Sequence, residues 1–169
     1  MSISLYTAGV PVFRQMLLAL GEVMNKAEAH AEAHKFDPAV LLQARLFPDM
    51  FPLVRQVQIA CDFAKSVPAR LAKVEVPAYD DNEQNFAELK ARIARTVALL
   101  DSLTAEQFSG CDDMEILLRP GTPKEKKLDG RSYLLAYGLP QFFFHVTTAY
   151  NLLRHNGVEI GKKDFMGSY

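Results

Sequence analysis

Gln141 and His145 stand four residues apart in a stretch that reads as helical, so both side chains project from one face, with Thr148 on the next turn. An imidazole and an amide at that spacing can share one metal ion or one small-molecule ligand. Pro140 lies just upstream, where its missing N–H frees the carbonyl of Ala136 and, with Gly138, favours a kink beside this face. The same residues also have a purely structural use. Bonded to backbone or to each other, His145 and Gln141 would stabilise a kinked, buried helix.

The other reactive side chains read more simply. His30 and His34 share the four-residue spacing, but the surrounding Lys26–Lys35 run is almost all charged or alanine. That is the pattern of a solvated helix end, open at most to adventitious metal capture. His155, beside Arg154 in a last helical turn, suits the negative end of a helix dipole. Cys61 sits on an apolar stripe and reads as a small core residue. Cys111 falls between Gly110 and Asp112 and is expected to be exposed, where Asp112 and Asp113 would raise its pKa and argue against a thiolate nucleophile. Asp80, Asp81, Asp112 and Asp113 read as loop or cap residues, and the Lys124, Lys126 and Lys127 cluster, broken by Glu125, as a solvated connection. No Ser-His-Asp arrangement, GxGxxG or glycine-rich phosphate loop is present.

Four long segments with a 3.6-residue apolar period must position these groups. In the first, Phe13, Met16, Leu17, Leu20, Val23, Met24 and Ala27 form a stripe to about Ala33. Its start is open, because Pro11 fits a first turn or kinks a helix begun near Ser4. The second is expected to be capped by Asp49, with Pro52 in its first turn and Pro68 ending or bending it. The third is expected to open at Asp80-Asp81-Asn82 and to run through Phe86, Leu89, Ile93, Val97 and Leu100. Thr104 to Gln107 has capping-box spacing and predicts one extra helical turn. Residues 111–130 predict a short hairpin or an irregular crossover. The last helix should begin near Asp129 or Ser132 and stop at Asn156-Gly157. Three one-sided helices and one apolar on nearly every face make an all-α, four-helix bundle in a single domain over 1–169. The fourth helix, short of cover, points to a homodimer.

The whole sequence of 169 residues is 49% hydrophobic, which suits one compact core and excludes disorder. With 19 basic and 20 acidic residues, nothing steers the chain toward nucleic acid or an anionic membrane. Two distant cysteines form neither a disulfide framework nor a zinc knuckle. The opening MSISLYTAGVPVF has no basic residue before Arg14 and does not read as a secretory signal, so a cytoplasmic protein with free thiols is expected. Tyr133–Leu153 has spanning length, but Pro140, Gln141, His145, Thr147, Thr148 and Asn151 load it with too much polarity for hydrocarbon.

The run Leu139-Pro140-Gln141-Phe142-Phe143-Phe144-His145-Val146-Thr147-Thr148-Ala149-Tyr150, with Leu153 to Val158, resembles the C-terminal signature of an uncharacterised bacterial domain-of-unknown-function family. Leu41 to Leu46, Pro48 to Leu53 and Arg55-Gln56-Val57-Gln58 resemble its other signature, and Ser4-Leu5-Tyr6 with Val10 to Phe13 its opening. That family is similar to the DinB/YfiT-like four-helix bundles, many of which bind a divalent metal through three histidines, one on helix two and two on helix four. The superfamily includes thiol-dependent transferases and hydrolases. The resemblance places His145 at the second helix-four histidine and Gln141 at the first, with Asp49 as the nearest oxygen ligand for a helix two that lacks histidine. It implies a DinB-like bundle without a complete three-histidine site, binding a small molecule through Gln141, His145 and Thr148. The alternative it implies is a Zn- or Ni-dependent hydrolase or thiol transferase using Asp49, Gln141 and His145.

Overall fold

The computed structural model describes residues 3–169; Met1 and Ser2, the first two of the opening stretch, lie outside them. The chain is mostly helical with one small two-stranded sheet. Helix α1 (Leu5–Ala33) starts at Ser4, whose Oγ accepts the Thr7 N–H at 3.2 Å. Pro11 therefore lies inside the helix, on its exposed side, and the expected stripe from Phe13 to Ala27 is buried. A short α2 (Ala39–Leu42) leads to α3 (Leu53–Leu71).

Asp49 does not cap α3. Pro52 occupies the cap position without a side-chain bond, and Asp49 lies exposed in the preceding turn. Nor does Pro68 end the helix: it sits within the last turn, and the chain leaves only at Lys73, at φ 58°. Helix α4 (Phe86–Ser102) starts later than the acidic run predicts. Its cap is Asn85, accepting the Glu88 N–H at 2.9 Å, because Asp80, Asp81 and Glu83 are engaged elsewhere. The extra turn forms as a 3-10 helix (Ala105–Phe108), with the Thr104 N–H donated to Gln107 Oε1 at 2.8 Å.

Of the two connections expected before the last helix, the hairpin forms: β1 (Glu115–Leu118) pairs antiparallel with β2 (Lys126–Asp129), Ile116 opposite Leu128. Asp129 then caps a continuous helical run, accepting the Ser132 N–H at 2.6 Å. The run comprises α5 (Gly130–Ser132), a π-helical stretch (Tyr133–Gly138) and α6 (Leu139–His155), and Gly157 follows at φ 89°. Helix α7 (Lys162–Met166) lies on α1, where Lys26 Nζ reaches Asp164 at 2.6 Å.

Helix α3 packs on α6 and α4, and α1 on α4, α6 and α3, around one core in which Phe13 and Phe142 meet edge to face at 4.8 Å. Cys111 belongs to this core instead of the surface, since the hairpin folds Gly130 over its carbonyl. Helix α6 is less enclosed than its composition predicts: Phe144 stays 56% exposed and Leu135, in the π-helical stretch, 47%. Among the described residues no helix is long and apolar enough to cross a membrane.

Candidate functional site

The proline that predicts a kink produces a wide turn instead. Pro140 has no N–H for the Ala136 carbonyl, and the preceding residues relax to π-type bonding, with the Leu139 N–H donated to Leu134 O. Pro140 then falls in the first turn of α6, where no donor is required. The wide turn lets Tyr133 accept a 2.9 Å hydrogen bond from Arg70 and sets Gly138 directly on Val67. Tyr137 meets Phe63 edge to face at 5.7 Å.

One turn into α6, His145 points into the molecule and is 7% exposed. Its partner is neither Gln141 nor backbone but Gln56 of α3, with Nδ1 2.7 Å from Oε1. The proton on this bond can be placed by elimination. Gln56 Nε2 donates to Phe51 O at 3.1 Å, and a carbonyl can only accept, so the amide oxygen faces the ring and Nδ1 carries the hydrogen. Burial, aided by the nearby Arg55 cation, pushes the His145 pKa down to about 4, which keeps the ring neutral at pH 7. The lone pair therefore lies on Nε2. Among the described residues Arg92 Nε is the sole fully enclosed side-chain nitrogen or oxygen without a partner, so the unpaired Nε2 is not fully enclosed.

Aromatic rings surround this imidazole. Phe63 stacks parallel to it at 6.1 Å, Phe144 stands perpendicular at 5.2 Å, and the Arg55 guanidinium lies 6.0 Å from the exposed Phe51 ring. Gln141 is half-buried one turn earlier on α6 and makes no side-chain hydrogen bond among the described residues. Thr148 donates its hydroxyl to Phe144 O at 2.7 Å and so bonds its own helix. Asp49 is exposed, with no hydrogen bond or ion pair to any of these groups. No group of three His, Cys, Asp or Glu residues placed to hold a metal occurs among the described residues.

Gln56 is the residue that sequence reasoning passes over. It falls at the three- and four-residue steps between Leu53 and Ala60, a polar intruder on an otherwise apolar stripe, and it is 1% exposed. Both thiols are inert: burial pushes Cys61 up to about 12, and burial with Asp112 raises Cys111. At the far end of α1, His34 turns Nδ1 to its own helix at His30 O, 2.8 Å away.

Comparison with known proteins agrees with this architecture. A family model described as a domain of unknown function, DUF1993, matches residues 5–166. The crystal structure of a DinB family member protein from Shewanella denitrificans superposes with a TM-score of 0.92 at 43% identity, covering 98% of this chain and 93% of that one. No curated protein matches.

Proposed function

The chain belongs to the DUF1993 family and is DinB-like, and from that premise we propose that it is a four-helix-bundle protein that binds a small molecule at His145 in place of a three-histidine metal centre. The shared core of α1, α3, α4 and α6 supports the bundle. The observation that carries the binding reading is the hydrogen bond from His145 Nδ1 to Gln56, which leaves a neutral imidazole whose acceptor Nε2 is unpaired and not fully enclosed. A hydroxyl or N–H of the ligand donates to Nε2, the free Gln141 amide supplies a second polar anchor, and an apolar or aromatic body rests on Phe144 and Phe51.

The metal reading has one favourable feature, since ligating histidines commonly donate their second N–H to an oxygen as His145 does. The donor set fits Zn²⁺ or Ni²⁺ poorly. It offers one imidazole with neutral amides, and Asp49 is exposed in a turn outside α3. A homodimer joined through the exposed Leu135 of the same helical run belongs to the same proposal.

Ligand-observed NMR with a library of small phenols, enols and amides tests it on tag-free protein. The expected result is a set of hits bound by wild type and lost in His145→Ala at unchanged helicity. Near-stoichiometric Zn or Ni in the purified protein, lost with the imidazole, would overturn the proposal in favour of the metal enzyme. A screen with no His145-dependent hit would overturn it too.

A further inference from the structure

Residues 75–84, between α3 and α4, make no backbone–backbone hydrogen bond at all. Side chains hold the segment down, and they divide by charge. The two helices present Arg55, Lys65, Arg92 and Arg95; the segment lays Tyr79, Asp80, Asp81 and Glu83 against them. Arg92 is the hub, its side chain wholly buried. Its Nη1 donates to Asp80 O and Glu83 at 3.0 Å each, and its Nη2 to Asp62 and Asp81 at 2.9 Å each. Arg55 pairs with Asp81, and Gln58 Nε2 donates to Glu83 at 2.8 Å. The Tyr79 ring takes three cations, Lys65 Nζ at 3.8 Å, Arg95 Cζ at 3.7 Å and Arg92 Cζ at 5.2 Å from its centre.

This arrangement resembles a ligand in a binding site. On the helices, four cations are offset only by Asp62, and the balance comes from the segment's acids. Of the guanidinium's five N–H groups, Arg92 Nε is still enclosed without an acceptor, so the groove offers one donor more than the segment uses. A fully desolvated guanidinium at the floor, met from the segment above by a nearly enclosed Glu83 carboxylate and a more exposed Asp81, matches recognition of a multivalent anion by arginine.

We propose that α3 and α4 form a polyanion-binding groove, made by Arg55, Lys65, Arg92 and Arg95, which the chain's own acidic segment occupies and which a multivalent phosphate or carboxylate takes over by displacing it. Cys61 lies beneath this groove, close enough to Arg92 and Glu83 to feel both charges, and gives the displacement a chemical reporter.

Tripolyphosphate is the probe. Wild type and Asp81→Asn/Glu83→Gln are titrated with it, against sodium chloride at equal ionic strength, while peptide mapping follows Cys61 alkylation and cleavage after Glu75 or Glu83 by a Glu-specific protease. In wild type, tripolyphosphate accelerates Cys61 alkylation and cleavage after Glu75 about fivefold over the salt control. In the double variant it acts at a concentration about tenfold lower, because the internal competitor has lost its charge. Glu83→Gln alone, which keeps an oxygen toward Arg92 and Gln58, replaces the double variant if that one loses helicity. Equal effects of tripolyphosphate and salt in every protein tested would overturn the proposal.

Discussion

Replacing His145 by Gln isolates the energetic consequence of a buried neutral imidazole. The unfolded chain takes up a proton at this ring below about pH 6.5, the folded chain only below about 4. Between these values the unfolded state holds more protons, so stability rises with pH across that window, levels off above it, and is lost as acid protonates the folded ring. The interval between 6.5 and about 4 corresponds to about 3 kcal/mol at ~1.36 kcal/mol per pH unit. Because the ring is only partly shielded from solvent, we expect about 1–2 kcal/mol of it. Glu83, Asp129 and Asp164, whose carboxyls all sit below the usual range, also cost stability as pH falls through their folded values. They do so equally in both proteins and cancel in the difference. Urea denaturation of wild type and His145→Gln at stepped pH is the assay. The wild-type advantage should shrink by about 1–2 kcal/mol from pH 7 to about pH 4. Parallel pH curves, or a His145 ring that titrates near 6.5 by NMR, would refute the assignment of the buried neutral ring.

Two further predictions rest on the core. A Cβ at Gly130 would lie 1.8 Å from Cys111 O, a backbone atom that cannot swing aside, so Gly130→Ala should cost about 3 kcal/mol or more, read as a fall in Tm of roughly 6–12 °C; an unchanged Tm would count against the packing of the hairpin on the core. Neither Cys61 nor Cys111 should react with a thiol reagent in native buffer, and both should react in denaturant, since both thiols are buried and held protonated; rapid native labelling of Cys111 would return it to the surface.

The sequence was legible wherever one local interaction decides a boundary. Ser4, Thr104, Asp129 and Gly157 each satisfy or release backbone groups within four residues, and each acts where its type predicts. It was misleading where a distant partner competes. Asp80 and Asp81 look like helix-opening acids, yet Arg92 at positions 12 and 11 further on claims one carbonyl and one carboxylate, and the helix start moves to Asn85. Pro68 and Pro140 are local breakers overruled by packing: the first sits buried at the end of α3, the second is absorbed by a wide turn. For the candidate site, spacing alone put His145 and Gln141 on one helix as candidates. Gln56 was not, because its 89-residue separation from His145 is a property of how α3 lies on α6.

The wide turn at Tyr133–Gly138 has a geometric corollary. A loop of that type carries about one residue more than an ordinary helical turn, and each residue rotates a helix by roughly 100°. The hairpin and Tyr133 are therefore phased against the imidazole by a single surplus amino acid. Deleting it would straighten the rod and turn its two halves about a third of a revolution relative to one another, so that Tyr133 could address Arg70 or His145 could address Gln56, but not both together.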